Sequence, residues 1–323
     1  MTYSPVEIAR QLTLIEYRLF AAIKPSECVS QHWMSKKKEE LAPNILKMIS
    51  RFNEVSNWVA SEIVKCTDLD QRTKTLKFVI DIAENCDKLN NFNAVMEIIS
   101  GLHSSSVFRL KQSWAGLPKK SVAAYEEMHA KMSRDKSYKL FREALRNVNP
   151  PCIPYLGMYL TDLTFIEEGN PDNLPDGSIN FTKRQRLSEV IAEIQTYQNT
   201  PYFLRELTFV RDYLYNVEAL PEEQCYKLSL KREGRRGTQA VDTDTPDLPF
   251  GDLEKKSSYV FDKPDSDSNI KFDKKQAEFE TYPTISAGTN IKLIERLTYH
   301  EYQDMEFLWA FLMTYQTFSN AGE

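Results

Sequence analysis

The stretch Asn149-Pro-Pro-Cys-Ile-Pro-Tyr-Leu-Gly-Met-Tyr-Leu-Thr-Asp-Leu-Thr-Phe-Ile-Glu-Glu-Gly-Asn-Pro171 opens on prolines, runs as a nearly unbroken apolar helix, and stops at an acid doublet followed by Gly-Asn-Pro. Proline favours an entry and glycine an exit, so one helix delivers Glu167-Glu168 to a chain reversal. Composition alone reads the doublet as a structural turn. Working outward, the neighbouring segments are helical too. Ser4-Pro5-Val6-Glu7 offers an N-cap, a first-turn proline and a capping-box glutamate. Behind it Ile8, Leu12, Ile15, Leu19 and Ile23 recur at steps of three and four, one apolar stripe on one helix.

Ile45, Met48, Ile49, Phe52 and Val55 repeat that pattern over Asn44 to Trp58, and Leu76, Val79, Ile80 and Ala83 mark another helix. Ala94 to Leu102 reads as fully buried. Thr182-Lys-Arg-Gln185 caps a helix bearing Leu187, Val190, Ile191, Ile194 and Tyr197. No segment shows sustained strand alternation with hairpin turns. The expectation is an all-α domain of ten or so helices, without internal repeats, to about Arg236. From Thr238 to Glu280 the composition turns to Asp, Ser, Thr, Pro and Lys; Val241–Glu280 holds eleven acidic residues against six basic. Without a periodic apolar pattern this reads as a flexible acidic and polar linker, residues 237–283. Helical periodicity resumes after Thr284, in Ile291, Leu293, Ile294 and Leu297 and again in Glu306 to Phe318. Two short helices bury no core of their own and must dock elsewhere, the first domain being the obvious candidate.

Composition excludes several functions. Lys+Arg 41 against Asp+Glu 46 gives a net charge of −5, which argues against a nucleic-acid surface. With only 10 glycines in 323 residues, the chain has neither a G-x-x-x-x-G-K-[ST] nor a G-x-G-x-x-G phosphate loop. Five scattered cysteines, Cys28, Cys66, Cys86, Cys152 and Cys225, read as reduced thiols of a cytoplasmic protein, without zinc spacing. Four separated histidines, His32, His103, His129 and His300, form no H-E-x-x-H, and G-x-S-x-G is absent. The doublet Glu126-Glu127 reads as solvated. The basic cluster Lys231-Arg232 with Arg235-Arg236 reads as a domain edge, with anionic-lipid contact as the minority reading.

The 149–171 stretch closely resembles the signature of Ras-type guanine-nucleotide exchange factors, nearest the Son-of-sevenless and Ras-GRF branches. Supporting pieces are Ser4-Pro-Val-Glu-Ile-Ala-Arg-Gln-Leu-Thr-Leu14, Leu89-Asn-Asn-Phe-Asn93, Ser104-Ser-Ser-Val-Phe-Arg-Leu110, Ile179-Asn-Phe-Thr-Lys183 and Tyr197-Gln-Asn-Thr-Pro-Tyr202. They span about Ser4 to Arg232, so residues 4–236 are expected to be the catalytic domain. Ala287-Gly-Thr-Asn-Ile-Lys-Leu-Ile-Glu-Arg-Leu-Thr-Tyr-His-Glu-Tyr302 through Thr314-Tyr-Gln-Thr-Phe318 resembles the opening of the Ras exchanger motif, giving a partial motif over 284–323. In the family that motif precedes and braces the catalytic domain; here it follows. A linker of about fifty residues spans roughly 40 Å as a coil, enough to reach back.

The resemblance implies no covalent chemistry, no cofactor and no metal. It implies a helical hairpin, about Tyr155 to Asn199, that opens the nucleotide site of a Ras-family small GTPase, preferring its nucleotide-free state. Glu168 would bond the phosphate-loop Lys and Ser of the GTPase, Thr164 would intrude near its magnesium site, and Tyr155 and Thr161 would line the hairpin contact. Met96, His103, Ser104 and Phe108 would form pocket and rim for the mobile switch segment, with Trp33, Lys38 and Ile49 as weaker candidates. For Met96 and Phe108, plain core packing is the competing reading, and Trp33, Lys38 and Ile49 also fit a structural role. Leu160-Thr-Asp-Leu-Thr-Phe-Ile-Glu-Glu168 points to the Ras and Rap branches rather than Ral. Action at the inner face of membranes follows, through recruitment by other proteins or the GTPase's own lipid anchor. A GTPase-binding scaffold, weak in exchange because its exchanger motif is incomplete, is the alternative. A helical metal-dependent enzyme would need a D-D-x-x-D or clustered His/Cys set, and neither is present.

Overall fold

A computed structural model of the chain describes residues 3–234, 265–273, 284–297 and 305–318. It is all-α apart from three short strands. The chain divides into two compact units, a body of residues up to Glu167 with 189–234, and a second unit of 168–188 with residues from 235 onward.

In the body, Ser4 caps α1 (Pro5–Ala21) by accepting the Glu7 N–H at 3.3 Å, with Pro5 in the first turn. Ile8, Leu12 and Ile15 of the expected stripe are buried; Leu19 is half-buried, and the helix ends before Ile23. After the single turn α2 (Lys38–Leu41) comes α3 (Pro43–Lys65), and α4 (Leu69–Lys88) begins at Asp68, whose carboxylate accepts the Gln71 N–H at 2.9 Å. Asn91 caps α5 (Phe92–His103) through the Ala94 N–H at 3.1 Å. Of the segment Ala94 to Leu102, expected to be fully buried, every residue but the half-buried Ser100 is buried.

α5 lies along α3, and α1 along α4. A methyl group on Gly101 would meet Ser56 O and Val59, so the closeness of α5 to α3 there requires glycine. The short helices α6 (Ser105–Phe108) and α7 (Lys111–Ala115) lead to α8 (Lys119–Lys131) and α9 (Asp135–Arg146). Then come α10 (Leu156–Gly169), α11 (Phe181–Gln198), α12 (Thr208–Tyr215) and α13 (Glu222–Arg232).

The body's chain is fastened at Glu233, a buried carboxylate that accepts the Gln112 and Ser113 N–H groups at 2.9 and 3.0 Å and the Ser113 hydroxyl at 2.8 Å. Arg232 donates to Val64 O at 2.9 Å, a structural use of one member of the basic cluster; Arg235 and Arg236 lie outside the described residues.

The second unit is assembled from distant pieces. β1 (Ile179–Asn180) and β2 (Ile270–Phe272) flank β3 (Ile285–Gly288), both antiparallel, with Ile179 and Ile270 facing Gly288. α14 (Asn290–Leu297) and α15 (Met305–Thr314) complete it. Its core holds Ile179, Phe181, Ile270, Ile285, Leu293, Phe307, Ala310 and Phe311. The Phe181 and Phe307 rings pack tilted at 37°, their centroids 4.6 Å apart.

The two C-terminal helices therefore bury their apolar faces with residues 168–188, which sequence reasoning had counted within the first domain. β2 falls inside the stretch read as linker, because a three-residue strand is too short to show alternation. The rest of that stretch, 237–264 and 274–283, lies outside the described residues, as do 298–304 and 319–323 of the partial motif.

Candidate functional site

The helix α10 sorts its side chains by face. Leu156, Met158, Tyr159, Leu160 and Leu163 are buried, while Thr161, Phe165 and Glu168 are exposed. Those three stand at i, i+4 and i+7, one stripe of an α-helix. Phe165 is 68% exposed, a large apolar ring turned toward water. Sequence reasoning passed over it, although its four-residue spacing from Thr161 was the available signal.

The hydroxyls of Thr161 and Thr164 both donate back into their own helix, to Gly157 O at 2.7 Å and Leu160 O at 2.8 Å. Each therefore presents its methyl and an accepting lone pair rather than a free donor. Glu167 and Glu168 part company. Glu167 is half-buried and accepts the Ser30 N–H at 2.7 Å, whereas Glu168 is exposed.

Tyr155 stands at the entrance to this helix and separates two cavities. On one side is a space of about 120 Å³ lined by Met48, Ile49 and Phe52 of α3, Asn93 of α5, and Tyr155, Leu156, Gly157 and Leu160. On the other is a space of about 280 Å³ lined by Arg134, Ser137, Tyr138, Arg142, Tyr155, Thr161, Asp162 and Phe165. The Tyr155 ring lies 5.8 Å from Phe52 and 6.0 Å from Tyr138. It folds back over Gly157 so closely that a methyl group there would collide with it. Burial raises the Tyr155 hydroxyl pKa, with Tyr138 adding to the effect, so the group stays a neutral hydrogen-bonding phenol. The first cavity is apolar apart from Asn93; the second is bordered by an Arg142–Asp162 ion pair whose two bonds are each 2.7 Å. Together they form an aromatic-centred recess beside the exposed stripe of α10, a shape suited to an aromatic side chain with polar surroundings.

The sequence-derived residues distribute over several places. Tyr155 and Ile49 meet in the smaller cavity, and Tyr155 and Thr161 in the larger. Met96 is buried in α5, whose contribution to the smaller cavity is Asn93. His103, Ser104 and Phe108 sit together at the end of α5 and in α6. There His103 contacts the Tyr125 hydroxyl, with the His129 ring 4.4 Å and the Phe108 ring 5.6 Å away. Burial, and secondarily the His129 charge, lower the His103 pKa. Phe108 is 52% exposed, with the Lys111 ammonium 3.9 Å above its ring, so it is a surface group and not a core one. Trp33 is buried and Lys38 exposed. Met48, Phe52 and Tyr138 escaped sequence reasoning as site residues; the first two had been read only as members of a core stripe. Among the described residues no group of three or more His, Cys, Asp or Glu is placed to hold a metal ion, and no helix is long and apolar enough to cross a membrane.

The profile of the RasGEF domain matches residues 7–185, more than half of the chain. Ras guanine nucleotide exchange factor P of Dictyostelium discoideum is 49% identical over 232 residues, 72% of this chain and 15% of that protein. Ras guanine nucleotide exchange factor Y of the same organism is 44% identical over 227 residues, 70% of this chain and 15% of that protein. Ras-specific guanine nucleotide-releasing factor 1 of Homo sapiens is 40% identical over 237 residues, 73% of this chain and 19% of that protein. The chain thus spans less than a fifth of the length of these relatives.

Proposed function

The chain belongs to the RasGEF-domain family, and on that footing we propose that it is a guanine-nucleotide exchange factor for a Ras-family small GTPase, Ras or Rap in particular. The observation that carries the reading is the exposed stripe Thr161, Phe165 and Glu168 on α10, beside the recess centred on Tyr155. An exchange factor forms and breaks no covalent bond. It binds the nucleotide-free GTPase more tightly than the loaded one, so its binding lowers nucleotide affinity by the same factor. In this reading the recess receives an aromatic residue of a mobile GTPase segment, and the hairpin of α10 and α11 enters the nucleotide site. Glu168 takes the place of phosphate oxygens toward the cationic and hydroxyl groups that hold them. A carboxylate is suited to that role, because charge-assisted hydrogen bonds are about twice as strong as neutral ones.

The test is release of mant-GDP from Ras, Rap, Ral and Rho-family proteins by the full chain. Acceleration for Ras or Rap is expected, and silence across the panel overturns the reading in favour of a binding scaffold. Glu168→Ala should cut the release rate by tenfold or more while weakening capture of the nucleotide-free GTPase only severalfold, since the two readouts weigh the transition and ground states differently. Equal losses in both would make Glu168 an ordinary interface contact.

A further inference from the structure

The geometry assigns to Glu167 a positioning role: its hydrogen bond to the Ser30 amide sets the last turn of α10 and thereby the direction in which Glu168 points. This inference rests on the exchange reading above. The bond joins residues 137 apart in sequence, with Glu167 Oε1 accepting the Ser30 N–H at 2.7 Å. Its donor is unusual. Ser30 and Gln31 are consecutive non-glycine residues in the left-handed region, with φ of 51° and 50°. Such a turn is disfavoured for L side chains and persists where its surroundings fix it.

The surroundings here do fix it. Glu27 is almost fully buried and accepts the Asn44 N–H at 2.8 Å, the Asn44 side-chain amide at 2.7 Å and the Ile45 N–H at 3.1 Å. It therefore caps the start of α3, which has no cap from its own preceding residue. Cys28 and Val29, each 1% exposed, anchor the next two positions in the core. The His32 ring bonds Ser26 O at 2.8 Å on the far side of the turn.

The loop is thus held to the N-terminus of α3, the helix that supplies Met48, Ile49 and Phe52 to the smaller cavity. From that fixed base it offers one backbone donor to the end of α10. Adjacent residues of an α-helix are turned about 100° from each other. Holding Glu167 inward against Ser30 leaves its neighbour on the exposed stripe with Thr161 and Phe165. The bond to Ser30 thus falls on the first acid of the doublet, while the second lies on the exposed stripe. One rigid loop serves both the cavity wall and the helix that carries Glu168.

The experiment compares the full-length wild-type chain with Glu167→Ala and Glu167→Gln, the latter keeping an acceptor oxygen at the same reach. Amide hydrogen exchange at Ser30 and saturation kinetics of mant-GDP release are both recorded. Glu167→Ala is expected to speed exchange of the Ser30 amide about tenfold and to lower the maximal release rate five- to tenfold. The GTPase concentration for half-maximal rate should stay within twofold, and Glu167→Gln should restore most of both losses. An unchanged Ser30 amide in Glu167→Ala overturns the bond, and a faster amide with an unchanged rate overturns its positioning role. Equal damage from Ala and Gln, or a loss confined to the half-maximal concentration, would make Glu167 a charged contact with the GTPase. If the wild-type chain releases no nucleotide at all, the exchange reading fails and the positioning role with it, while the Ser30 amide still reports separately whether the bond exists.

Discussion

In the body, each long helix brings its own apolar stripe and buries it against a neighbour, α1 on α4 and α3 on α5. In the second unit no single segment does so. Its core takes Ile179 and Phe181 from one part of the chain, Ile270 from a second, Ile285 and Leu293 from a third, and Phe307, Ala310 and Phe311 from a fourth. Both units bury charge, in different pairings. The body encloses the carboxyls Glu16 and Glu97 together with the cations Arg51 and Arg72, whereas the second unit buries Lys183 and Arg184 and pairs them with Asp172, whose side chain is 63% exposed. A body built from locally complete helices tolerates the loss of a distant piece. A unit built from four pieces depends on having all of them.

The largest effect should come from cutting the second core at its centre. Phe307→Ala removes a 2%-exposed ring that packs tilted against Phe181 and lies 6.1 Å from Phe311. Such truncations cost about 3–5 kcal/mol. We expect the amides of Asn180, Ala287 and Gly288 to lose their hydrogen-exchange protection while those of α3 and α5 keep theirs. Phe141→Ala, which removes a fully buried ring packed edge-on against Phe92, should instead lower protection through α4 and α5. If Phe307→Ala weakens α5 as strongly as it weakens β3, the two units unfold as one and the comparison fails.

The same contrast explains what the sequence made legible. The stripe of α1, its Ser4 cap and the buried α5 follow from spacing and capping chemistry that operate within a few residues. β1, β2 and β3 are two, three and four residues long, too short to show alternation; β1 pairs with β3 across 107 to 109 positions and β2 with β3 across 13 to 18. At the candidate site, the run of α10 and its acid doublet stood out, but the hydrogen bond that ties Glu167 to the body did not. It depends on Ser30, a residue without any distinguishing local pattern. The lining of the smaller cavity was hidden for another reason. Met48 and Phe52 fit the apolar period of α3 as well as true core residues do, and only the packing of α10 shows that they border a space.

A smaller effect follows from the acids. Burial raises the pKa of Glu16, and burial together with the Glu16 charge raises that of Glu97, well above the ordinary 4.5. The folded body thus keeps protons that the unfolded chain releases above pH 4.5, and its stability falls as pH rises toward the folded values. Glu97→Gln should remove this loss, so that its stability relative to wild type improves by about 1 kcal/mol or more between pH 5 and pH 8 in denaturant titrations.

Asp172 behaves with the opposite sign. Burial alone would raise its pKa, but the Lys183 hydrogen bond and the Arg184 and Lys183 charges outweigh it and hold the value below 3.8. The Lys271 hydrogen bond, with Ser178, lowers that of Asp176 far further. Stability from these two is full above pH 3.8, begins to be lost below it as the unfolded carboxyls take up protons, and is gone only below their folded values. Acidification from pH 6 to pH 3 should therefore loosen β3 and strengthen the α1–α5 contact. Parallel changes in both would contradict the distinction.

The smallest effect concerns the turns. Among the described residues, the second unit uses a glycine for its left-handed position, Gly177 at φ 83°, while the body uses Ser30, Gln31, Asn90, Lys136, Ser137 and Tyr138. No heavy atom among the described residues lies within 4 Å of where a Cβ would stand on Gly177, so Gly177→Ala meets only the backbone penalty, about 1 kcal/mol. Ser137→Gly relieves a similar penalty, and its carbonyl continues to accept Arg142 Nε at 2.8 Å. Glycine also gives the unfolded chain extra freedom, which costs roughly 0.5–1 kcal/mol. The two terms nearly cancel, and we expect a net change below about 0.5 kcal/mol in urea unfolding. A gain well above that would mean that the body carries unrelieved strain at 136–138, beside the Tyr155 recess. A loss of similar size would mean that packing of Tyr138 against Tyr155 has already settled the turn, and that the serine is there because the neighbouring rings hold it.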